Sequence, residues 1–418
     1  VAQELTVDVD PAEVGFDPAR LDRLDRRLQR YVDDGLLPGY LVTVARHGRL
    51  AHVGLGGLRH VEDALPVETT TRWRIYSMTK AVTSVAAMML HEEGAFQLND
   101  PIAEWLPEFA HTPVYVAGSA QRPVTEPQTE PIRVWHLLSH TSGLTYGFHH
   151  AHPVDEMYRA AGHEWGAPPG ADLAECTAQW AALPLVFQPG SEWNYGVSTD
   201  VLGRLVEVLS GQPLDEFFEQ RVFAPLGMTD TSFGLREDDD PSTLARLYAP
   251  VRRDPLGPPV GIQPLDVLGD GFLSKPKYLS GGGGLVSTAP DYLRFVEMLR
   301  RRGEHDGGRL LGPRTVDHMT RNHLPGNADL ATFGRPLFAE TPLRGVGFGL
   351  GFATVVDQAR YGVVSSLGEY NWGGAASTAF FVDPVEDLTV CFYTQLMPSS
   401  TLPVRTYLRS LVYQALVD

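Results

Sequence analysis

The sequence predicts an α+β protein: a sheet built from both chain ends and flanked by helices, with a mostly helical domain inserted between them. Three observations carry this expectation. Apolar, β-branched runs cluster before residue 75 and after residue 284. The stretch from about Asp100 to Asp270 holds short helical patches, scattered prolines and tryptophans, and frequent turns. With 418 residues the chain also exceeds what one compact core needs. The expected division is 1–99 with 281–418 for the sheet domain and 100–280 for the insertion.

Asp17 and Pro18 open a helix in which Leu21, Leu24, Leu28, Tyr31 and Val32 recur at helical spacing, with Gly35 as its stop. Tyr40 to Arg46, a His47-Gly48 turn and Leu50 to Gly54 read as a hairpin. Thr71 to Ile75 is a short extended piece. Ala81 to Leu90, rich in alanine and methionine, is a buried helix closed by Gly94. Thr112 to Pro131 is polar and reads as a surface loop. Thr199 to Leu209 is a helix stopped by Gly211. Gly347 to Val355, Ala379 to Val382 and Leu388 to Thr394 are strand-like, and Val404 to Val417 is a final amphipathic helix.

Composition narrows the function. Acidic residues number 51 against 34 basic ones, a formal net charge of -17. Such a surface repels phosphate backbones and anionic lipid, so no nucleic-acid and no membrane partner is expected. Val85 to Leu90 is among the longest unbroken apolar runs, too short to span a bilayer. The two cysteines, Cys176 and Cys391, read as buried free thiols. Residues Val1 to Val7 lack a basic region followed by an apolar stretch. Cytoplasm is the expected compartment, with a secreted mature form as the alternative.

Chemistry enters through Ser77-Met78-Thr79-Lys80, an S-x-x-K pattern. Residues three apart on a helix share a face, so the Ser77 hydroxyl and the Lys80 amine can meet. A serine hydroxyl needs a proton acceptor to become a nucleophile. Burial disfavours the charged form of a lysine, and the apolar helix after Lys80 supplies that burial. Only Lys80, Lys275 and Lys277 are lysines; the chain otherwise uses arginine, which cannot release its proton. Ser274-Lys275-Pro276-Lys277 shows the same pattern but carries a proline and is followed by no helical run. Taken alone, Ser77 also reads as a helix-capping serine.

Two further elements join it. Trp193-Asn194-Tyr195-Gly196-Val197-Ser198 places Tyr195 just before a helix; a phenol near positive charge can act as a base, and in isolation it is a core tyrosine. Asn371-Trp372-Gly373-Gly374-Ala375 precedes an apolar strand; two glycines let backbone N–H groups approach an oxyanion, and in isolation they are a turn or bulge.

In this order, the three elements resemble the penicillin-binding-protein and β-lactamase superfamily of serine hydrolases. Leu137-Leu138-Ser139-His140-Thr141-Ser142-Gly143-Leu144, Pro189-Gly190-Ser191 leading to Tyr195, and Ser280 to Gly284 with Leu285, Ser287 and Thr288 resemble further segments of that superfamily. The likeness is to class C β-lactamases and, more, to family VIII carboxylesterases. Val197 stands where those β-lactamases have an asparagine, and Trp372-Gly373-Gly374 where they have Lys-Thr-Gly. Losing a cation and an amide donor weakens the attraction for an anionic β-lactam and suits an apolar acyl or alcohol group.

The resemblance implies an antiparallel sheet and a helical second domain with the site between them. It implies Ser77 as nucleophile, Lys80 and Tyr195 sharing the base role, and an oxyanion hole from the Ser77 and Ala375 amides. Tyr146, Val197, Trp372, Gly373 and Gly374 are the implied substrate contacts. The expected partner is a small-molecule ester, with no metal and no cofactor. An acyltransferase or peptide cyclase would carry the same three residues; a β-lactamase or D-amino-acid peptidase fits Val197 and Trp372 poorly; a non-catalytic binder would not need all three.

Other signals point elsewhere only weakly. G-x-S-x-G is absent. His149, His150 and His152 read as solvated loop histidines, since no cysteine or H-E-x-x-H accompanies them. His140 reads as a structural hydrogen-bonding residue. Gly281 to Gly284 lacks the Lys-Ser or Lys-Thr of a phosphate cradle.

Overall fold

The computed structural model describes residues 5–335 and 343–418. Its centre is an eight-stranded sheet. In chain order the strands are β1 (Gly39–Arg46), β2 (Arg49–His60), β3 (Leu65–Pro66), β4 (Val346–Phe348), β5 (Ala353–Val355), β6 (Tyr370–Gly373), β7 (Ala379–Asp383) and β8 (Leu388–Tyr393). Their spatial order is β4-β5-β6-β7-β8-β1-β2-β3, so strands from the two chain ends join where β8 pairs with β1. All pairings are antiparallel, with Val44 opposite Val390 and Trp372 opposite Phe380.

Alternation along the strands sends successive side chains to opposite faces. Tyr40, Val42, Val44, Phe381, Val390 and Phe392 face one apolar layer. There they meet helices α1 (Pro18–Asp33) and, after all the strands, α5 (Val404–Tyr413). Asp17 caps α1 by accepting from the Arg20 amide, with Pro18 pre-set for the first turn. On the other face, Leu41, Phe380, Val382, Cys391 and Tyr393 join a larger core with α2 (Thr79–Glu92), α3 (Ser198–Ser210) and α4 (Ala289–Arg300). That core continues into the middle of the chain through Leu137, Trp180 and Phe217. Every residue of α2 from Thr79 to Leu90 is buried. Cutting Met88, fully buried there, to alanine costs about 2–5 kcal/mol.

Cys176 and Cys391 are free and buried. Among the described residues no helix is long and apolar enough to cross a membrane.

Four local expectations need correction. Thr112 to Pro131 is not a plain loop: Val114–Ser119 and Arg122–Glu126 pair as a hairpin, mostly solvent-exposed. Its polar, proline-bearing surface hid the β-branched Val114, Val116, Val124 and Thr125. The run Gly347 to Val355 is two strands, because Gly349 donates to the Phe352 carbonyl (2.7 Å) and turns the chain back. Asn371 to Gly373 lie on β6 and pair with β7, so the turn begins only after them, at Gly374 and Ala375. The last helix stops at Tyr413; beyond it Val417 donates to the Gly15 carbonyl (3.0 Å), tying the tail to the chain start.

Candidate active site

The Ser77 segment is anchored before its helix begins. Arg72–Arg74 pairs with Leu285–Thr288, and the Ile75 amide donates to the Leu285 carbonyl (3.1 Å). Tyr76 then adopts a φ of +42°, a left-handed conformation that is strained for an aromatic residue and sits one position before Ser77. Tyr76 to Met78 forms a single 3₁₀ turn that runs directly into α2. Tyr292 holds this junction by donating its hydroxyl to the Met78 carbonyl (2.9 Å).

Lys80, only 2% exposed, is the point on which the site converges. Its Nζ lies 3.3 Å from Ser77 Oγ, 2.9 Å from the Tyr146 hydroxyl and 2.7 Å from the Gly282 carbonyl oxygen. It also faces the Tyr195 ring, 4.6 Å from the centroid. Burial pushes the Tyr146 phenol well above its ordinary range, with Asp200 and Tyr195 adding to the effect, so Tyr146 stays protonated.

Tyr195 comes from the segment leading into α3. Its phenolic oxygen accepts the Trp372 indole N–H (3.3 Å), and its ring lies 5.4 Å from that of Trp372 and 5.4 Å from that of Tyr146. His140 packs behind it at 4.9 Å between centroids. Complete burial drives the His140 imidazole well below its usual range and keeps it neutral, and its Nδ1 has no partner among the described residues. This fits a packing role better than that of a base.

Trp372 on β6 reaches Tyr195 and Phe348, forming one wall. Gly374 lets the strand end close on the segment leading to Ser77: a Cβ there would lie 2.4 Å from the Ile75 carbonyl oxygen and 2.3 Å from Thr378 Oγ1. Thr378 in turn donates to the same Ile75 carbonyl (3.3 Å). Gly373 lies against the Arg405 guanidinium, which donates to the Gly374 carbonyl (2.8 Å). Among the described residues, neither the Ser77 amide nor the Ala375 amide donates a hydrogen bond. Val197 is buried in the large core, its amide on the Thr145 carbonyl (3.3 Å).

The reading of the three loop histidines as solvated holds for His150 alone, which is exposed and paired with Glu164 (3.3 Å). His149 turns inward: its Nε2 lies 2.7 Å from the Tyr195 carbonyl oxygen and its ring meets Tyr146 edge-on. His152 caps the helix Pro153–Ala160. Loop conformation, which no spacing encodes, decided this. The sequence also left unmarked the stack of Tyr146 on Phe148 (4.6 Å) and of Phe148 on Trp165 (4.8 Å), which runs outward from Lys80 to a half-exposed tryptophan. Gly282, seen only as part of a glycine stretch, supplies a carbonyl to Lys80.

A serine next to a strained tyrosine, a buried lysine and two further tyrosines meet beside an antiparallel sheet, as in a β-lactamase-family serine hydrolase. The sequence profile named Beta-lactamase matches residues 24–414, and the chain belongs to that family. It is 36% identical over 386 residues to an uncharacterised protein of Mycobacterium tuberculosis, covering 90% of each chain. It is 32% identical over 420 residues to Esterase EstB of Burkholderia gladioli, covering 97% of this chain and 98% of that one. It superimposes on the solved structure of EstCE1, described as a hydrolase with promiscuous acyltransferase activity, with a TM-score of 0.78 at 27% identity, covering 94% and 99%.

Proposed function

We propose that this protein is a serine carboxylesterase that forms an acyl-enzyme on Ser77. The observation that carries the reading is the set of three partners around the Lys80 amine. In the form that accepts a proton, this amine has two N–H donors and one lone pair. The Gly282 carbonyl can only accept, so it takes one N–H, and the Tyr146 oxygen takes the other. The lone pair is left for the Ser77 O–H.

In acylation the Ser77 proton moves to Lys80 Nζ while Oγ bonds to the ester carbonyl carbon. The carbonyl oxygen gains negative charge and is held by the free Ser77 and Ala375 amides. The indole N–H only donates, so Tyr195 accepts from Trp372 with its oxygen and keeps its own O–H for the departing alkoxide. The proton on Lys80 passes to the Tyr195 phenolate oxygen once the two draw within hydrogen-bond reach; at rest Nζ faces the Tyr195 ring, 4.6 Å from its centroid. Water then attacks the acyl carbon, gives its proton to the same pair, and Ser77 leaves with a proton as the acid departs. Trp372, with Tyr146, Gly373 and Gly374 around the same centre, would border an apolar acyl or alcohol group; Val197 acts from beneath.

A second reading, transfer of the acyl group to an alcohol or amine, is favoured by the likeness to EstCE1. Turnover of p-nitrophenyl butyrate and nitrocefin, with and without added alcohol, tests both. Rapid ester hydrolysis with little nitrocefin turnover is expected. Nitrocefin turnover at a rate equal to that of the ester contradicts the esterase reading, and an ester product with the added alcohol reveals transfer.

A further inference from the structure

The Lys80 amine meets the Gly282 carbonyl, and the amide of the same glycine is held by a buried carboxylate. Asp200, 1% exposed, lies in the first turn of α3, five residues after Tyr195. Its Oδ1 accepts the Tyr278 hydroxyl (2.7 Å), the Ser280 hydroxyl (2.6 Å) and the Gly282 amide (3.0 Å). All three donors are neutral. A buried carboxylate carries a desolvation cost that apolar packing at the same place avoids, so its presence asks for a purpose.

The far side of the same glycine turn is pinned to α2. Thr83 donates to the Gly281 carbonyl (2.6 Å), and the Leu285 amide donates to Thr79 Oγ1 (3.2 Å). Between these anchors the Gly282 carbonyl meets Lys80 Nζ at 2.7 Å. The approach of α3 to the turn needs glycine: a Cβ at position 282 would lie 2.4 Å from Asp200 Oδ2.

We propose that Asp200 is a positioning residue for the Lys80 base: by gathering Tyr278, Ser280 and the Gly282 amide onto one carboxylate, it fixes the carbonyl that turns the Lys80 lone pair toward Ser77. The inference rests on the roles of Ser77 and Lys80 proposed above. Asp200 never touches substrate. Its effect is on the rate of acylation, because misdirecting a reacting group by about 1 Å costs on the order of 100-fold.

Burst kinetics with p-nitrophenyl butyrate separate this from a purely structural role, since burst amplitude counts active sites and burst rate reports chemistry at each. Asp200→Ala is expected to lower the burst rate about 100-fold with KM changed by no more than about threefold. Asp200→Asn keeps the shape and loses the charge, and should lower it about tenfold. Ser280→Ala, which removes one of three donors, should lower it about threefold. A wild-type burst rate in Asp200→Ala, or a loss carried wholly by amplitude, overturns the proposal. If Asp200→Ala does not fold, a wild-type rate in both Asp200→Asn and Ser280→Ala overturns it equally. If the wild-type protein itself shows no burst and no adduct on Ser77, the hydrolase reading fails first and this inference falls with it.

Discussion

Two stretches of the chain spell Ser-x-x-Lys, and they end in opposite surroundings. At Ser77 the serine sits in a strained turn and the lysine is 2% exposed, meeting a hydroxyl, a phenol and a carbonyl. At Ser274 the chain is irregular, and the Lys275 and Lys277 side chains are 61% and 56% exposed. Lys275 pairs with Asp215; Lys277 donates to the Gly170 carbonyl (2.7 Å) and to Glu175 (3.2 Å). Both pair with carboxylates near the surface. Spacing brings a serine and a lysine together; an apolar helix behind Lys80 and fixed acceptors around it are what set the Ser77 pair apart.

The largest effects test that contrast directly. Ser77→Ala should lower kcat for p-nitrophenyl butyrate by about 10⁴-fold or more, and Ser274→Ala should leave it within about twofold. Lys80→Ala and Lys80→Arg should each cost about 10³-fold, the arginine because it keeps its proton, and Lys277→Ala should cost nothing measurable. A Lys80→Ala enzyme at wild-type rate breaks the assignment of the base.

Tyr195→Phe should lower kcat by about 100-fold, since the leaving group loses its proton source. Tyr146→Phe should cost less, about tenfold, because the Gly282 carbonyl still orients the amine. Equal losses from the two variants would mean that the tyrosines are not distinguished as proposed.

The smallest effect concerns the burial that extends beneath the first site. His136 opens the segment running to His140, and its Nδ1 accepts the Arg133 amide (3.0 Å). Burial, with Arg133 adding to it, pushes its imidazole down to about 3. Between about 6.5 and 3 the unfolded chain binds a proton that the folded chain refuses, so stability falls as pH drops through that window. From pH 7 to 5 the loss from this group is about 2 kcal/mol. Urea unfolding of His136→Asn, whose amide oxygen replaces Nδ1 as acceptor, should show a pH dependence flatter by that amount; an unchanged slope contradicts it.

Much of this architecture was legible in the residues. The capped first helix, the hairpin of β1 and β2, the buried helix after Ser77 and the helix after Tyr195 follow from periodicity and end signals that agree with each other. Ser77, Lys80, Tyr195 and Trp372 stand out as candidates because each lies in a short motif, and the fold brings those motifs to one place. The turns and pairings around them were not. Gly349 and Gly373 are the same residue type, yet one opens a reversal and the other pairs in a strand, a difference set by β7 and not by neighbours in sequence. Asp200 is one acid in a first helical turn, a place where acids are common. Nothing in its sequence neighbours announces that it faces Gly282.

The most direct test of the central claim is to treat the protein with a p-nitrophenyl alkylphosphonate and map the mass shift by peptide. The account predicts one adduct per chain, on the peptide carrying Ser77, formed in step with loss of esterase activity and absent from Lys80→Ala on the same timescale. An adduct on the peptide carrying Ser274, or full inhibition with Ser77 unmodified, would contradict it.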